Sequence, residues 1–177
     1  MREPSDKKIE EMLRVDHAGE YGAVRIYEGQ LAFTKDLKTR ALLKHMLDQE
    51  NEHLKTFNRL MIENEVPATL FMPLWHVGGY VMGAMTALLG EKEAHACTIA
   101  VEDVIEGHYQ EQIDDLSAMT HPKATELQGI FQRFQDEEVQ HKETARQEGG
   151  DQAPLFPILH KVIGTISKTA IALSKRI

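Results

Sequence analysis

The stretch Asp48-Gln-Glu50-Asn-Glu-His53 recurs 88 positions later as Asp136-Glu-Glu138-Val-Gln-His141, both copies spelling Asp-x-Glu-x-x-His. Upstream of each copy lies a second matching line: Glu20, Tyr27 and Gln30 in the first half, then Glu102, Tyr109 and Gln112 in the second, offset by 82. The chain reads as a helix pair that has been duplicated.

Helix geometry gives the repeat its meaning. Residues at i and i+3 lie on neighbouring rows of one face, so Glu50 with His53, and Glu138 with His141, can reach a common ion. Glu20 and Glu102 each add a carboxylate from a separate helix. One Glu on each of two helices and Glu-x-x-His on the other two is the ligand set of ferritin-like di-iron or di-manganese bundles. A carboxylate-rich set with two imidazoles suits iron or manganese better than structural zinc, which prefers cysteine and histidine. The expectation is all-α: a ferritin-like four-helix bundle of two duplicated helix pairs, with an apolar crossover helix and a C-terminal amphipathic helix, residues 1–177 forming one domain.

Composition narrows the classes. At 177 residues the chain can bury a core without disulfides, and Cys97 as the only cysteine rules out intrachain disulfides and thiolate zinc sites. A net charge of -8, with no basic stretch carrying interleaved aromatics, excludes nucleic acid as a partner. Met1 to Glu11 mixes both charge signs without a secretory apolar core or an Arg-rich transit bias, as expected of a bacterial protein or a trimmed mature form.

Helix signals dominate and no strand alternation persists. Ser5 is expected to cap a first helix reaching about Phe33. A second helix runs from about Thr39 to Glu65, stopped by Pro67. A fourth runs from past Gly90 to about Met119, a fifth carries Glu138 and His141 to Gly149-Gly150, and a sixth follows Pro157 to the terminus. Between Val66 and Gly90 lie 25 residues without one Asp, Glu, Lys or Arg. About 20 apolar residues can span a bilayer, but a crossing would put the two ligand lines on opposite sides of roughly 30 Å of hydrocarbon. The segment is therefore expected to lie on the bundle and dip into a membrane interface, a depth that Trp75 and Tyr80 suit. A buried core helix is the other reading. In the tail from Pro154 to Ile177, Lys161, Lys168 and Lys175 fall at sevens beside Ile158, Leu159, Val162, Ile163, Ile166 and Leu173. That pattern fits an interfacial helix, one docking on a partner, or plain core packing.

Several residues near the motif need placing. Tyr27 and Tyr109 lie two turns beyond Glu20 and Glu102 on the same stripes and could bond a ligand carboxylate, pass an electron, or simply fill core. His108 projects roughly 120° from Glu102, which disfavours it as a ligand and leaves it a supporting role. Asp48 and Asp136 face away from their glutamates and could orient a histidine on a neighbouring helix. Glu28, Glu52, Glu106 and Glu137 are set aside by the repeat register.

Arg14-Val-Asp-His-Ala-Gly-Glu20-Tyr-Gly-Ala, Met72-Pro-Leu-Trp75 with Thr86-Ala-Leu-Leu-Gly90, and Ala100-Val-Glu102 together resemble the demethoxyubiquinone hydroxylase family of ubiquinone biosynthesis, and the resemblance runs from about Leu13 to Ile177. It implies a ferritin-like, membrane-associated di-iron monooxygenase that hydroxylates the ring of 5-demethoxyubiquinol with dioxygen. Two iron ions would be held by Glu20, Glu50, His53, Glu102, Glu138 and His141, with Glu50 and Glu138 as bridges; Tyr27, Tyr109 and His108 stay candidates for supporting contacts on their helical positions alone. It further implies a polyprenyl quinol substrate, for which the uncharged crossover is the candidate approach route, and it suits a lipid-presenting partner protein; the electron donor stays open, with NADH a candidate. The setting would be peripheral, on the cytoplasmic face of a bacterial inner membrane, or the matrix face of the mitochondrial one for a trimmed form. Two rival classes stay open. A ferritin-like ferroxidase would load iron beyond two per chain, and a membrane-surface helical adaptor would purify without iron.

Overall fold

The computed structural model describes residues 4–175. Among them are six α-helices, one 3-10 turn and no strand. They are α1 (Pro4–Phe33), α2 (Leu37–Glu63), α3 (Met72–Leu89), α4 (Glu91–Ser117), α5 (Ala124–Gln147) and α6 (Phe156–Ser174), with the 3-10 turn at Gly150–Gln152. The fold is all-α and ferritin-like, as the motif spacing predicts.

Helix ends depart from the sequence expectation in four places, each for a local reason. Ser5 is not the cap of α1: the helix already includes Pro4, which needs no backbone N–H in a first turn. The second helix opens at Leu37, ahead of Thr39, because Asp36 caps it, its Oδ1 accepting the Thr39 N–H at 2.8 Å. It ends at Glu63, where Asn64 closes the last turn and Glu65 swings to φ 55, before Pro67 is reached. Pro157 sits inside the first turn of α6, whose expected run to the terminus passes beyond the described residues.

Helix α1 packs on α2 and α4 on α5, while α3 lies along α1 and α6 along α4. Cross-helix bonds pair Gln30 with Ala94 and Gln112 with Asp16, so α1 and α4 run antiparallel. Two apolar clusters bracket the middle of the bundle. Leu13, Phe57, Tyr109, Leu116, Leu127 and Phe131 fill one end, and Tyr27, Leu43 and Met46 the other. The layer holding the acids and histidines lies between them.

The crossover helix is bound to α1 through glycine. A Cβ on Gly83 would collide with the Ile26 carbonyl, and one on Gly29 with the Tyr80 carbonyl, so backbone lies directly on backbone. Gly90, at φ 152, then turns the chain from α3 into α4. Among the described residues no helix is long and apolar enough to cross a membrane. Leu74, Val77, Val81, Met85 and Leu88 of α3 are exposed, as are Ile158, Val162 and Ile166 of α6. Trp75 lines a cavity against α1 and α6, while Tyr80 lies beneath the Arg25 guanidinium. Helix α6 is pinned to α4 by His160, whose Nε2 lies 2.7 Å from Asp103 Oδ2.

Candidate metal centre

All six sequence-predicted ligands are buried and converge. Glu20, Glu50, His53 and Glu138 form one group with ligand atoms within 4.8 Å of one another, and Glu50, Glu102, Glu138 and His141 form a second. Glu50 and Glu138 belong to both. Glu138 Oε1 lies 3.0 Å from His53 Nδ1, and its Oε2 lies 2.9 Å from His141 Nδ1, so one carboxylate reaches both imidazoles. Glu50 Oε1 is 3.3 Å from His141 Nδ1 and Oε2 is 3.9 Å from His53 Nδ1.

The electrostatics are those of a site short of positive charge. Burial first, then the neighbouring Glu138 and Glu20, push the Glu50 carboxyl well above its ordinary range; burial with Glu138 and Glu50 does the same to Glu102. Burial alone would also raise Glu138, but hydrogen bonds from His141 and His53 outweigh it and hold that carboxyl low. Burial alone would lower the His53 ring, yet Glu20, Glu138 and Glu50 raise it to about 12. Neither oxygen of Glu50 has a hydrogen-bond partner of good geometry among the described residues. Buried, unpartnered carboxylate oxygens between two imidazoles are costly unless a cation sits among them, which is the observation by which these residues fit a pair of metal ions.

The surrounding side chains differ from expectation in instructive ways. Tyr27 and Tyr109 do reach carboxylates, but each crosses to the other half: the Tyr27 hydroxyl donates to Glu102 Oε1 at 3.1 Å, and the Tyr109 hydroxyl donates to Glu20. Asp48 and Asp136 do not orient the histidines; both are exposed, bonded along their own helices to Lys44 and Gln132. That task falls one residue later. His53 Nε2 meets Glu137 Oε2 at 2.6 Å, and His141 Nε2 meets Gln49 Oε1 at 3.1 Å. Glu137, set aside by register, thus touches a ligand candidate. The signal available was position: Gln49 and Glu137 are themselves 88 apart. His108 lies outside both ligand groups, its Nε2 3.5 Å from Asp16 and 3.1 Å from Gln112.

A cavity of about 550 Å³, open on one side to the surface, lies beside this layer between α1, α3, α4 and α6. Gly19 and Ala23, flanking Glu20 on α1, and Val101 and Ile105, flanking Glu102 on α4, form part of its wall, with Met82 and Ile163 opposite. Its lining is almost wholly apolar.

The chain matches a family model described as "Ubiquinone biosynthesis protein COQ7" over residues 7–174. It is 46% identical over 170 residues to a Rhodospirillum rubrum protein named "3-demethoxyubiquinol 3-hydroxylase", covering 96% of this chain and 78% of that one. It is 44% identical over 168 residues to the Mus musculus "NADPH-dependent 3-demethoxyubiquinone 3-hydroxylase, mitochondrial", covering 95% and 77%. Against the Saccharomyces cerevisiae "5-demethoxyubiquinone hydroxylase, mitochondrial" it is 36% identical over 182 residues, covering 96% and 78%. Fold, motif and matches agree, and the chain belongs to the Ubiquinone biosynthesis protein COQ7 family, the demethoxyubiquinone hydroxylases.

Proposed function

We propose that residues 1–177, acting as one domain, hydroxylate the ring of a demethoxyubiquinol with dioxygen at a pair of iron ions, while resting on a membrane surface. The observation that carries this is the sharing of Glu50 and Glu138 between two buried ligand groups. Glu20 and His53 would hold one iron, Glu102 and His141 the other, and the shared glutamates would bridge them. When bound, such a pair supplies paired electrons and a place for dioxygen, chemistry that redox-inert zinc lacks. The net reaction converts a ring C–H to C–OH: one oxygen atom enters that bond, the other leaves as water, and two electrons and two protons are consumed. The names of the mouse relative and its kin favour NADPH as the donor, a reduced nicotinamide like the NADH expected from the sequence.

The protein's own residues have definite work in this scheme. Tyr27 and Tyr109 hold the Glu102 and Glu20 carboxylates in place, and Gln49 and Glu137 hold the histidine rings with Nδ1 turned inward. The apolar cavity beside Glu20 and Glu102 suits the quinol and the start of its polyprenyl tail. Exposed leucine, valine and isoleucine on α3 and α6, with Lys161 and Lys168 exposed on α6, favour a peripheral membrane seat or a lipid-presenting partner. The seat would be the cytoplasmic face of a bacterial inner membrane, or the matrix face in a mitochondrion.

The test is iron analysis with product chromatography, using a short-tail demethoxyubiquinol, NADPH and dioxygen. Two irons per chain and hydroxylated product are expected, both lost in Glu138→Ala. Undiminished product from that variant overturns the assignment.

A further inference from the structure

The duplicated halves agree at the six candidate ligands and diverge just outside them. Each imidazole turns Nδ1 toward the acids and Nε2 outward, and each Nε2–H meets an oxygen of the opposite helix hairpin. For His53 that oxygen is the Glu137 carboxylate at 2.6 Å; for His141 it is the neutral Gln49 amide at 3.1 Å. The two partners occupy the same place in the repeat. The ring faces differ as well. His53 stacks on Phe134 with centroids 4.0 Å apart, whereas His141 meets Tyr27 edge-on at 6.1 Å, and the repeat puts Met46 where the other half has Phe134. One step further out, Asp16 precedes Glu20 by a turn and is paired with His108. The residues 82 positions away from that pair are Thr98 and Ile26, neither of which carries charge. The outer partners of the two rings thus differ in charge, a carboxylate for His53 and an amide for His141, while the Glu102–His141 side carries its own charged cluster one step away, Lys142 with Asp103 and Glu106.

We infer that Glu137 is a positioning residue that makes the two metal positions inequivalent, the one at Glu20 and His53 binding its ion first and more tightly. The inference rests on the di-iron reading above. A carboxylate that accepts the outer N–H of a metal-binding imidazole both fixes the ring and increases its electron donation, whereas an amide oxygen fixes the ring and donates less. Replacing such an outer partner costs roughly 10–100-fold in metal affinity. The Glu137 side chain is 27% exposed, so water screens part of its charge. The expected separation is therefore at the lower end, about tenfold.

The full-length protein, freed of metal by chelation, is titrated anaerobically with ferrous iron in a calorimeter, and Mössbauer spectra are recorded at one and two equivalents of enriched iron. Two binding steps and two distinct iron environments are expected. Glu137→Gln draws the steps together and the spectra toward a single environment. Adding Gln49→Glu to that variant restores the split with its order reversed: His53→Ala removes the tighter step from the native protein but the weaker step from the exchanged one. A native protein with one unsplit step, or a split that Glu137→Gln leaves intact, overturns this inference while leaving the di-iron reading in place. Failure of the native protein to take up iron overturns the di-iron reading itself.

Discussion

The Tyr27 hydroxyl donates to Glu102, the acid of the other half, across 3.1 Å of buried space. The cause is the antiparallel course of α1 and α4. Tyr27 starts about 10 Å along α1 from Glu20, and helical side chains lean toward the N-terminus, so its ring folds back to the acid layer and reaches the facing helix. Burial, followed by the nearby Glu102, pushes its phenol well up, which keeps the hydroxyl a donor. Tyr27→Phe preserves the ring and deletes only that bond. A loss of about 1–3 kcal/mol in the metal-free protein is expected by urea denaturation, with Tyr109→Phe comparable.

Glu50 predicts a conflict between stability and function. Both of its oxygens are buried without a hydrogen-bond partner among the described residues, and its carboxyl is driven well up by burial and by Glu138 and Glu20. Glu50→Leu removes an unsatisfied polar group worth about 1–3 kcal/mol. The metal-free variant should melt higher, by about 2–4 °C for each kcal/mol in a chain of this size, while iron uptake and hydroxylation disappear. Calorimetric melting of the metal-free proteins and iron analysis check the two halves; a lower melting point would contradict the first.

Gly83 is the tightest point between α3 and α1, since any Cβ there meets the Ile26 carbonyl rather than a movable side chain. Gly83→Val should cost about 1–3 kcal/mol or more, because a backbone has to shift to admit it. Gly78, inside the same helix but with an open Cβ position, serves as the control, and Gly78→Ala should raise stability by about 0.5–1 kcal/mol. Equal losses from both in denaturant titrations would argue against the close crossing.

Acid sensitivity should be set in part by His95. The ring is 1% exposed, neither nitrogen has a hydrogen-bond partner among the described residues, and burial lowers its pKa from the ordinary 6.5. Below 6.5 the unfolded chain takes up a proton that the folded one refuses. Its stabilising share is thus full above that pH and falls as the pH drops from 6.5 toward the folded-state value. The slope is at most about 1.4 kcal/mol per pH unit. His95→Leu should flatten the profile between pH 6.5 and 5, and the removal of two unpartnered buried nitrogens should add an offset that is the same at pH 8 as at pH 7. His17, lowered mainly by burial, adds a residual slope of the same sign.

Much of this was legible in the sequence because the repeat constrains it. Glu20, Glu50, His53, Glu102, Glu138 and His141 share helical faces by spacing alone, and burial in a bundle brings four such faces together. What spacing cannot supply is the rotation of one helix about its axis against the next. Asp48 and Gln49 differ by about 100° around α2, and only the seat of α2 against α5 decides which reaches His141. The same ignorance hid the crossing of Tyr27 and Tyr109 to the opposite acids. Ser5 misled for a different reason: it is a good capping residue, but Pro4 is already content inside a first turn.

Each histidine is steadied by a residue of the other hairpin, and each outlying tyrosine grips the other hairpin's acid. A lone hairpin would leave those grips empty, so neither half can complete its own ring and acid contacts without the other. The interlock is reciprocal but not interchangeable, because Gln49 and Glu137 stand at one repeat position with different chemistry, a difference that two identical hairpins could not present.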